Sequence, residues 1–378
     1  MNENRKIRVA ITHGDTNGIG YELIFKTFAE PEMLELCTPI IYGSPKVATY
    51  HRNALGIEAN FTIVADASEV KDGRVNFLPV FDEEIKVELG QPTEESGTAG
   101  LKAIDRALAD YREGAYDVLV TAPMDNNEQF HFSGQSRYIE DHLEVEEQGL
   151  SLLVNERMRV ALATRNLPLK QVAESVTAES VRQKATTLFN ALRRDFRISN
   201  PRIAVLALNP KAGDNGLLGS EEQEVILPAI EELSENGVQA FGPYAADKFF
   251  GDFSVEQFDG VLAMYYDQGL TPFRSFSCND GVNYLAGLPL VRTAPELSAG
   301  YDIAGKGIAD EQPLRHAIYL AIDIFRHREE YDEPMDNPLP KLYKEKRDES
   351  DKVRFAIPKR RDDRTPRNNH REEQKSGE

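Results

Sequence analysis

Two arginines and an asparagine fall close together late in the chain: Arg274, then Asn283 and Arg292 inside "GVNYLAGLPLVRTAPELSAGYDIAGKGIAD" (281–310). A guanidinium can grip a phosphate or carboxylate through two parallel hydrogen bonds, and an amide adds a third. The set suits a small phosphorylated ligand, with surface ion pairing as the plain alternative. Upstream, "LNPKAGDNGLLGSEE" (208–222) carries a glycine-rich loop too long for a tight strand-to-helix connection. It places Lys211 either to bind an anion or merely to meet solvent. "THGDTNGIGYELIFKTF" (12–28) is a glycine-rich turn before a helix start, whose backbone N–H groups either hold an anion or serve the turn alone. In "LAMYYDQGL" (262–270) an apolar, strand-like run ends on Tyr266, Asp267 and Gln268, as a strand delivering side chains to a site would.

Other chemistries lack their residues. The seven histidines form no H-x-H or H-E-x-x-H pair, and the glycines of the first turn do not follow G-x-G-x-x-G. No G-x-S-x-G elbow and no catalytic-cysteine signature is present. Cys37 and Cys278 give neither a disulfide framework nor a CxxC metal knuckle.

The elements that must position these residues alternate. "IRVAIT" (7–12), "TPIIYG" (38–43), "DVLVTAP" (117–123), "MRVALAT" (158–164), "PRIAVLALN" (201–209) and "DGVLAMYY" (259–266) read as strands ending at turn residues. Between them lie helical patterns at 97–114, 177–196 and 220–237, the last opened by a Ser220 cap and first-turn acids. The alternation predicts an α/β protein with a largely parallel sheet.

A chain of 378 residues, 40% hydrophobic and 28% charged, is an ordinary globular composition with room for two domains. Charge is uneven. Residues 341–378 hold 13 Lys+Arg against 9 Asp+Glu, and the remainder 31 against 54. So acidic a body repels phosphodiester backbones and argues against nucleic-acid binding. No stretch approaches 18 apolar residues, and the N-terminus has no signal-type apolar region. The expectation is a cytoplasmic protein without membrane contact. From about residue 337 the sequence is proline-containing, densely charged and poor in apolar anchors, which predicts a disordered tail.

Taken together, "ITHGDTNGIGYEL", "DVLVTAP", "RVALATRNLPL", "LALNPKAGDNGLLGSEE", "GPYAAD", "VLAMYYDQGL" and "GVNYLAGLPLVRT" resemble the 4-hydroxythreonine-4-phosphate dehydrogenase family of pyridoxal-phosphate biosynthesis over about residues 6 to 330. The resemblance implies a two-domain isopropylmalate-dehydrogenase-like α/β fold with an inter-domain cleft, and a homodimer whose sites the partner completes. The expected division is residues 1–135 with 290–336, then 136–289 carrying the dimer interface, then the 337–378 tail. The implied reaction oxidises 4-phosphooxy-threonine with NAD and a divalent metal, and the keto acid then loses carbon dioxide. Implied substrate contacts are Gln135, Ser136, Arg274, Asn283 and Arg292, and implied cofactor contacts are Ser298, Ala299 and Gly300. Lys211, Asp247 and Asp267 are the implied candidates for catalysis.

The resemblance also shows departures. The family's three metal-binding histidines correspond to Asn166, Lys211 and Tyr266, its lysine after the T-x-P turn to Asn126, and its "GHTE" segment to Gly134-Gln135-Ser136-Arg137. Its "HGTA" segment reads Leu297-Ser298-Ala299-Gly300, and Arg274 stands where lysine is usual. Two expectations follow. One is a dehydrogenase with altered chemistry, in which Lys211 faces the alkoxide. The other is an inactive paralogue that binds a phosphorylated metabolite or serves as a regulatory or scaffolding subunit.

Overall fold

A computed structural model describes residues 5–81, 84–125, 132, 134–143, 149–277 and 279–336. The expected disordered tail, Asn126 and Cys278 lie outside them. Twelve strands are β1 (Arg8–Thr12), β2 (Thr38–Gly43), β3 (Thr62–Ile63), β4 (Asn76–Pro79), β5 (Val118–Thr121) and β6 (Leu150–Val154), then β7 (Arg159–Leu162), β8 (Ile203–Leu206), β9 (Ala240–Tyr244), β10 (Gly260–Ala263), β11 (Val282–Ala286) and β12 (Val291–Pro295). They form one sheet in the order β3-β4-β2-β1-β5-β12-β11-β6-β7-β10-β8-β9. Pairings among the described residues are parallel except in the middle, where β12–β11, β11–β6 and β6–β7 run antiparallel. The predicted α/β class with a largely parallel sheet is the one observed.

Strand burial explains why these short runs pair. β2, β5, β6, β8, β10 and β12 are buried along their whole length, as sheet strands covered on both faces are. Helices cover those faces with apolar stripes. Helix Glu94–Arg112 buries Ala103, Ile104, Ala107 and Leu108, and helix Ala178–Arg194 buries Val181, Ala185, Leu188 and Leu192. Both begin with a capping box, Thr93 with Ser96 and Thr177 with Ser180, which satisfies two otherwise orphaned backbone donors.

A buried strut ties helix Gln312–Asp336 to the rest. Arg328 Nε donates to Asp195 Oδ1 at 2.7 Å and its Nη2 to the Tyr284 hydroxyl at 2.8 Å. Tyr284 in turn donates to Asp195 Oδ2 at 2.6 Å.

Two local expectations change. The strand expected to run through Tyr266 ends at Ala263, and Tyr266 is the first residue of helix Tyr266–Phe276. The Gln268 side chain, four residues past Met264, accepts from the Met264 N–H at 2.7 Å and donates to Ala207 O, folding the chain back into a helix there. The helix predicted over 220–237 starts as a π-type turn (Glu222–Ile226) before the α-helix Leu227–Glu235, and the Ser220 side chain caps nothing. Pro228 falls at the start of that α-helix, where its missing N–H is not needed by the ladder.

Candidate functional site

At the antiparallel centre of the sheet, β12 lies between β5 and β11. Arg292, in the middle of β12, is 2% exposed. Its Nη2 donates to Thr121 Oγ1 at 2.5 Å and Gln135 Oε1 at 2.9 Å. Its Nη1 donates to Ser136 Oγ at 3.1 Å and lies 3.5 Å from Asn283 Oδ1. All four partners are neutral, and its Nε has no partner. Among the described residues no carboxylate reaches this guanidinium. Burial and the nearby Arg165 push its pKa down to about 9, so it remains a cation at neutral pH with its charge uncompensated by contact.

Sequence reading expected Gln135, Ser136, Asn283 and Arg292 to act together, and the fold brings them together. Gln135 and Ser136 open helix Gln135–Leu143, whose first N–H groups have no intrahelical acceptor. Together with Asn166, Tyr266, Arg165 and Glu296 these residues line a cavity of about 210 Å³. That is room for a small metabolite, not a dinucleotide. Arg274 stands apart: its Nη2 donates to Glu296 Oε1 at 2.9 Å and its side chain is 57% exposed.

Arg165, which lines this cavity, and Glu140 and Thr121, which hold its two arginines, escaped sequence reading. Arg165 places its Nη2 2.9 Å from both oxygens of Glu140, while its buried Nη1 has no partner. Arg165 was visible next to Asn166 in "ATRNLPL", but nothing in its spacing marked it. Glu140 lies one helical turn beyond Ser136, where the cavity face of that helix continues. Thr121, the end of β5, was read only as strand.

Asn166 and Tyr266 also share a second groove of about 340 Å³ with Leu167, Leu169, Tyr265 and Asp267. Asn166 has left-handed backbone, φ 52°. Tyr266 is 43% exposed, and burial with the Glu296 carboxylate raises its pKa, so the phenol holds its proton. Lys211 lines neither space. It is exposed at the start of five consecutive left-handed residues, 211–215, that hang from a carboxylate anchor. Glu222 Oε1 accepts from Asn209 N at 2.7 Å, and Asn209 Nδ2 donates to Glu221 and Glu222. Asp247 is likewise exposed, in the first turn of the short helix Ala246–Gly251. The fold therefore unites two of the three expected metal positions within one chain, not all three. Among the described residues no group of three His, Cys, Asp or Glu side chains could hold a metal ion.

Four N–H groups of the turn at 13–20 are committed within the chain. Asp15 N donates to Pro123 O, Asn17 N to Asp15 Oδ1, Gly18 N to Asp15 O, and Ile19 N to Ala299 O at 2.9 Å. It is a docking surface for the 297–301 loop. A Cβ on Gly18 would meet Ala299 O at 2.5 Å, which is why glycine is needed there. Ala299 N donates to Asp125 Oδ1, and Tyr301 donates to Asp15 Oδ2 at 2.9 Å beside Ser96. Burial raises the pKa of Asp15. Of the expected cofactor residues, Ala299 and Gly300 are buried and Ser298 is exposed. His13 is fully buried and stacked 5.2 Å from Tyr21, and its ring nitrogens make no full hydrogen bond among the described residues.

Comparison with known proteins gives one answer from three directions. The family profile described as pyridoxal phosphate biosynthetic protein PdxA matches residues 35–321. A 4-hydroxythreonine-4-phosphate dehydrogenase of Bacteroides thetaiotaomicron is 52% identical over 357 residues, covering 93% of this chain and 98% of that protein. One from Geobacter metallireducens is 36% identical, covering 85% and 97%. Among solved structures, the 4-hydroxythreonine-4-phosphate dehydrogenase of Klebsiella pneumoniae aligns with a TM-score of 0.72 at 28% identity, covering 86% of this chain and 99% of that one. The enzyme of the same name from Burkholderia phymatum gives 0.68 at 29%, covering 85% and 99%.

Proposed function

The chain belongs to the PdxA family of pyridoxal phosphate biosynthetic proteins, and from that premise we propose that its cavity holds a small phosphorylated hydroxy acid with the phosphate on Arg292. The observation that carries this reading is a buried guanidinium whose every hydrogen-bond partner is neutral. A buried charge left without a counter-charge is costly, and an arriving phosphate removes that cost. Ser136, Gln135 and Asn283 already point oxygens at the guanidinium. Gln135 Nε2 is committed to Ala122 O at 2.9 Å and Asn283 Nδ2 to Ser151 Oγ at 3.4 Å, so the opening N–H groups of helix Gln135–Leu143 are the remaining grips for phosphate oxygens.

The reaction class is the family's. A hydroxyl carbon gives up a hydride, the hydroxyl loses its proton, and the keto acid formed loses carbon dioxide. The hydride would pass to NAD, and of residues 298–300, which would hold that cofactor, Ser298 is the exposed member. A divalent metal does not fit the residues present. Asn166 is an amide, Lys211 an ammonium, and the Tyr266 phenol is held protonated. No step is therefore assigned to a metal. The protonated Tyr266 phenol serves instead as a donor to the oxygen on which negative charge develops, and the hydroxyl proton leaves to solvent.

A second reading is favoured by the same three positions: a paralogue that binds the phosphorylated acid without turning it over, in a regulatory or scaffolding role. Partners are proposed with either reading. Leu169 and Leu217 are 72% and 79% exposed, and Leu167 and Leu218 are also exposed. Such apolar side chains on the segments of Asn166 and Lys211 suit a homodimer interface. Among the described residues no helix is long and apolar enough to cross a membrane, and a cytoplasmic location is proposed. The test adds NAD and 4-phosphooxy-threonine to the purified full chain with EDTA and follows NADH absorbance. Turnover supports the oxidoreductase. Binding without NADH supports the paralogue, and absence of binding removes both.

A further inference from the structure

The cavity holds a second guanidinium for which the proposed phosphate has no use. Arg165 lines the same space as Arg292. Its Nη2 is committed to Glu140, at 2.9 Å from each carboxylate oxygen, while its Nη1 is buried with no partner among the described residues. Arginine and carboxylate here form an end-on pair, not the two-pronged fork that would use both terminal nitrogens. Arg165 lines the same cavity as Asn166 and Tyr266, with the unused prong buried behind its surface. Two cations sharing one small space repel each other, and that repulsion contributes to the lowered pKa of Arg292. One phosphate relieves Arg292. A second anionic group is needed to occupy Arg165.

Resting on the proposed phosphate site, we infer that the corner formed by Arg165, Asn166 and Tyr266 is a carboxylate-binding subsite, so that the cavity selects small molecules bearing a phosphate and a separate carboxylate, without a metal. The groups that do not fit a cation suit an anion: an amide, a phenol and a guanidinium all carry N–H or O–H donors. Arg165 is then a specificity-determining residue, and Glu140 is the internal competitor that holds it in place and lowers its attraction for the ligand.

The test is calorimetric titration of the full chain in EDTA with three probes: 3-phosphoglycerate, glycerol 3-phosphate and inorganic phosphate. The wild type is expected to bind 3-phosphoglycerate about tenfold or more tightly than glycerol 3-phosphate, since one buried charge-assisted contact is worth about 1.5–3 kcal/mol, or roughly 10- to 150-fold. Arg165→Met is expected to bring that ratio close to one while glycerol 3-phosphate binds as before. Glu140→Gln, which frees Arg165 and does not depend on the Met variant folding, is expected to tighten 3-phosphoglycerate several-fold and to leave inorganic phosphate unchanged. Equal affinity of the wild type for the two organic phosphates overturns the inference and leaves the phosphate site standing. So does a preference that appears only when a divalent metal is restored. Failure of all three probes to bind overturns the subsite and the phosphate site together.

Discussion

Replacing Arg292 by methionine tests the site through two effects of opposite sign. The guanidinium is fully buried and its pKa falls from the usual arginine range to about 9, a penalty on the charged form of about 5 kcal/mol. Removing the charge recovers that amount. It also ends hydrogen bonds to Thr121, Gln135, Ser136 and Asn283, worth about 1 kcal/mol each, or about 4 kcal/mol in all. The two nearly cancel, so the unliganded Arg292→Met protein should melt within a few degrees of the wild type. A residue kept for packing would behave otherwise, since truncating it would cost stability outright. Ligand binding should respond strongly, because deleting one partner of a buried charge pair costs about 2–5 kcal/mol. The assay is thermal unfolding of both proteins with and without saturating glycerol 3-phosphate. At 100 times Kd the wild type gains about 2.7 kcal/mol, a rise of several degrees, and the variant should show none. A variant that collapses without ligand, or that keeps the ligand-dependent rise, refutes the reasoning.

Other consequences can be measured separately. The pKa of buried His13 falls from 6.5 to about 4, so the unfolded chain takes up its proton first as pH drops. Its stabilisation is complete above pH 6.5 and is lost on acidification, by about 2 kcal/mol at pH 5 and about 3 kcal/mol in full. Urea unfolding of wild type and His13→Gln at pH 7, 6 and 5 should show the variant with the shallower loss; parallel curves would contradict the assignment. Arg328→Met leaves Asp195 buried without its partner, which predicts a loss of about 3–5 kcal/mol and a melting temperature lower by about 10 °C. Tyr301→Phe removes the hydroxyl that donates to Asp15, costing about 1–2 kcal/mol in urea unfolding, and should raise the KM for NAD more than it changes kcat if the loop serves the cofactor. Restoring Asn166→His, Lys211→His and Tyr266→His together should bring back zinc binding by metal analysis; a metal-free triple variant would show that these positions do not converge.

Much of the frame was legible because strand runs and capped helices are local. "DVLVTAP" and "RVALAT" are short apolar runs that can only pair, and Thr177 with its stripe from Val181 to Leu192 announces a helix by itself. Asn283 and Arg292 stood out as anion-binding residue types near apolar runs, and Gln135 and Ser136 came from the family resemblance; that the four meet is a property of the fold. Three features were not legible. Tyr266 was read as the end of a strand because its apolar run is continuous, whereas the Gln268 side chain bonding to Met264 N–H and Ala207 O turns the chain into a helix. The left-handed run at 211–215 depends on Glu222, which sits eleven residues beyond Lys211 and looks like any first-turn acid. Arg165 has no spacing signal. Its meaning comes from Glu140 and Arg292, which only the fold brings alongside it.

The most direct test is a structure of the full chain crystallised in EDTA with 4-phosphooxy-threonine. The account predicts the phosphate within hydrogen-bond distance of Arg292, Ser136 and Asn283, the carboxylate on Arg165, and no metal between Asn166 and Tyr266. A phosphate bound away from Arg292, or a ligand bound only once a metal is supplied, would contradict it.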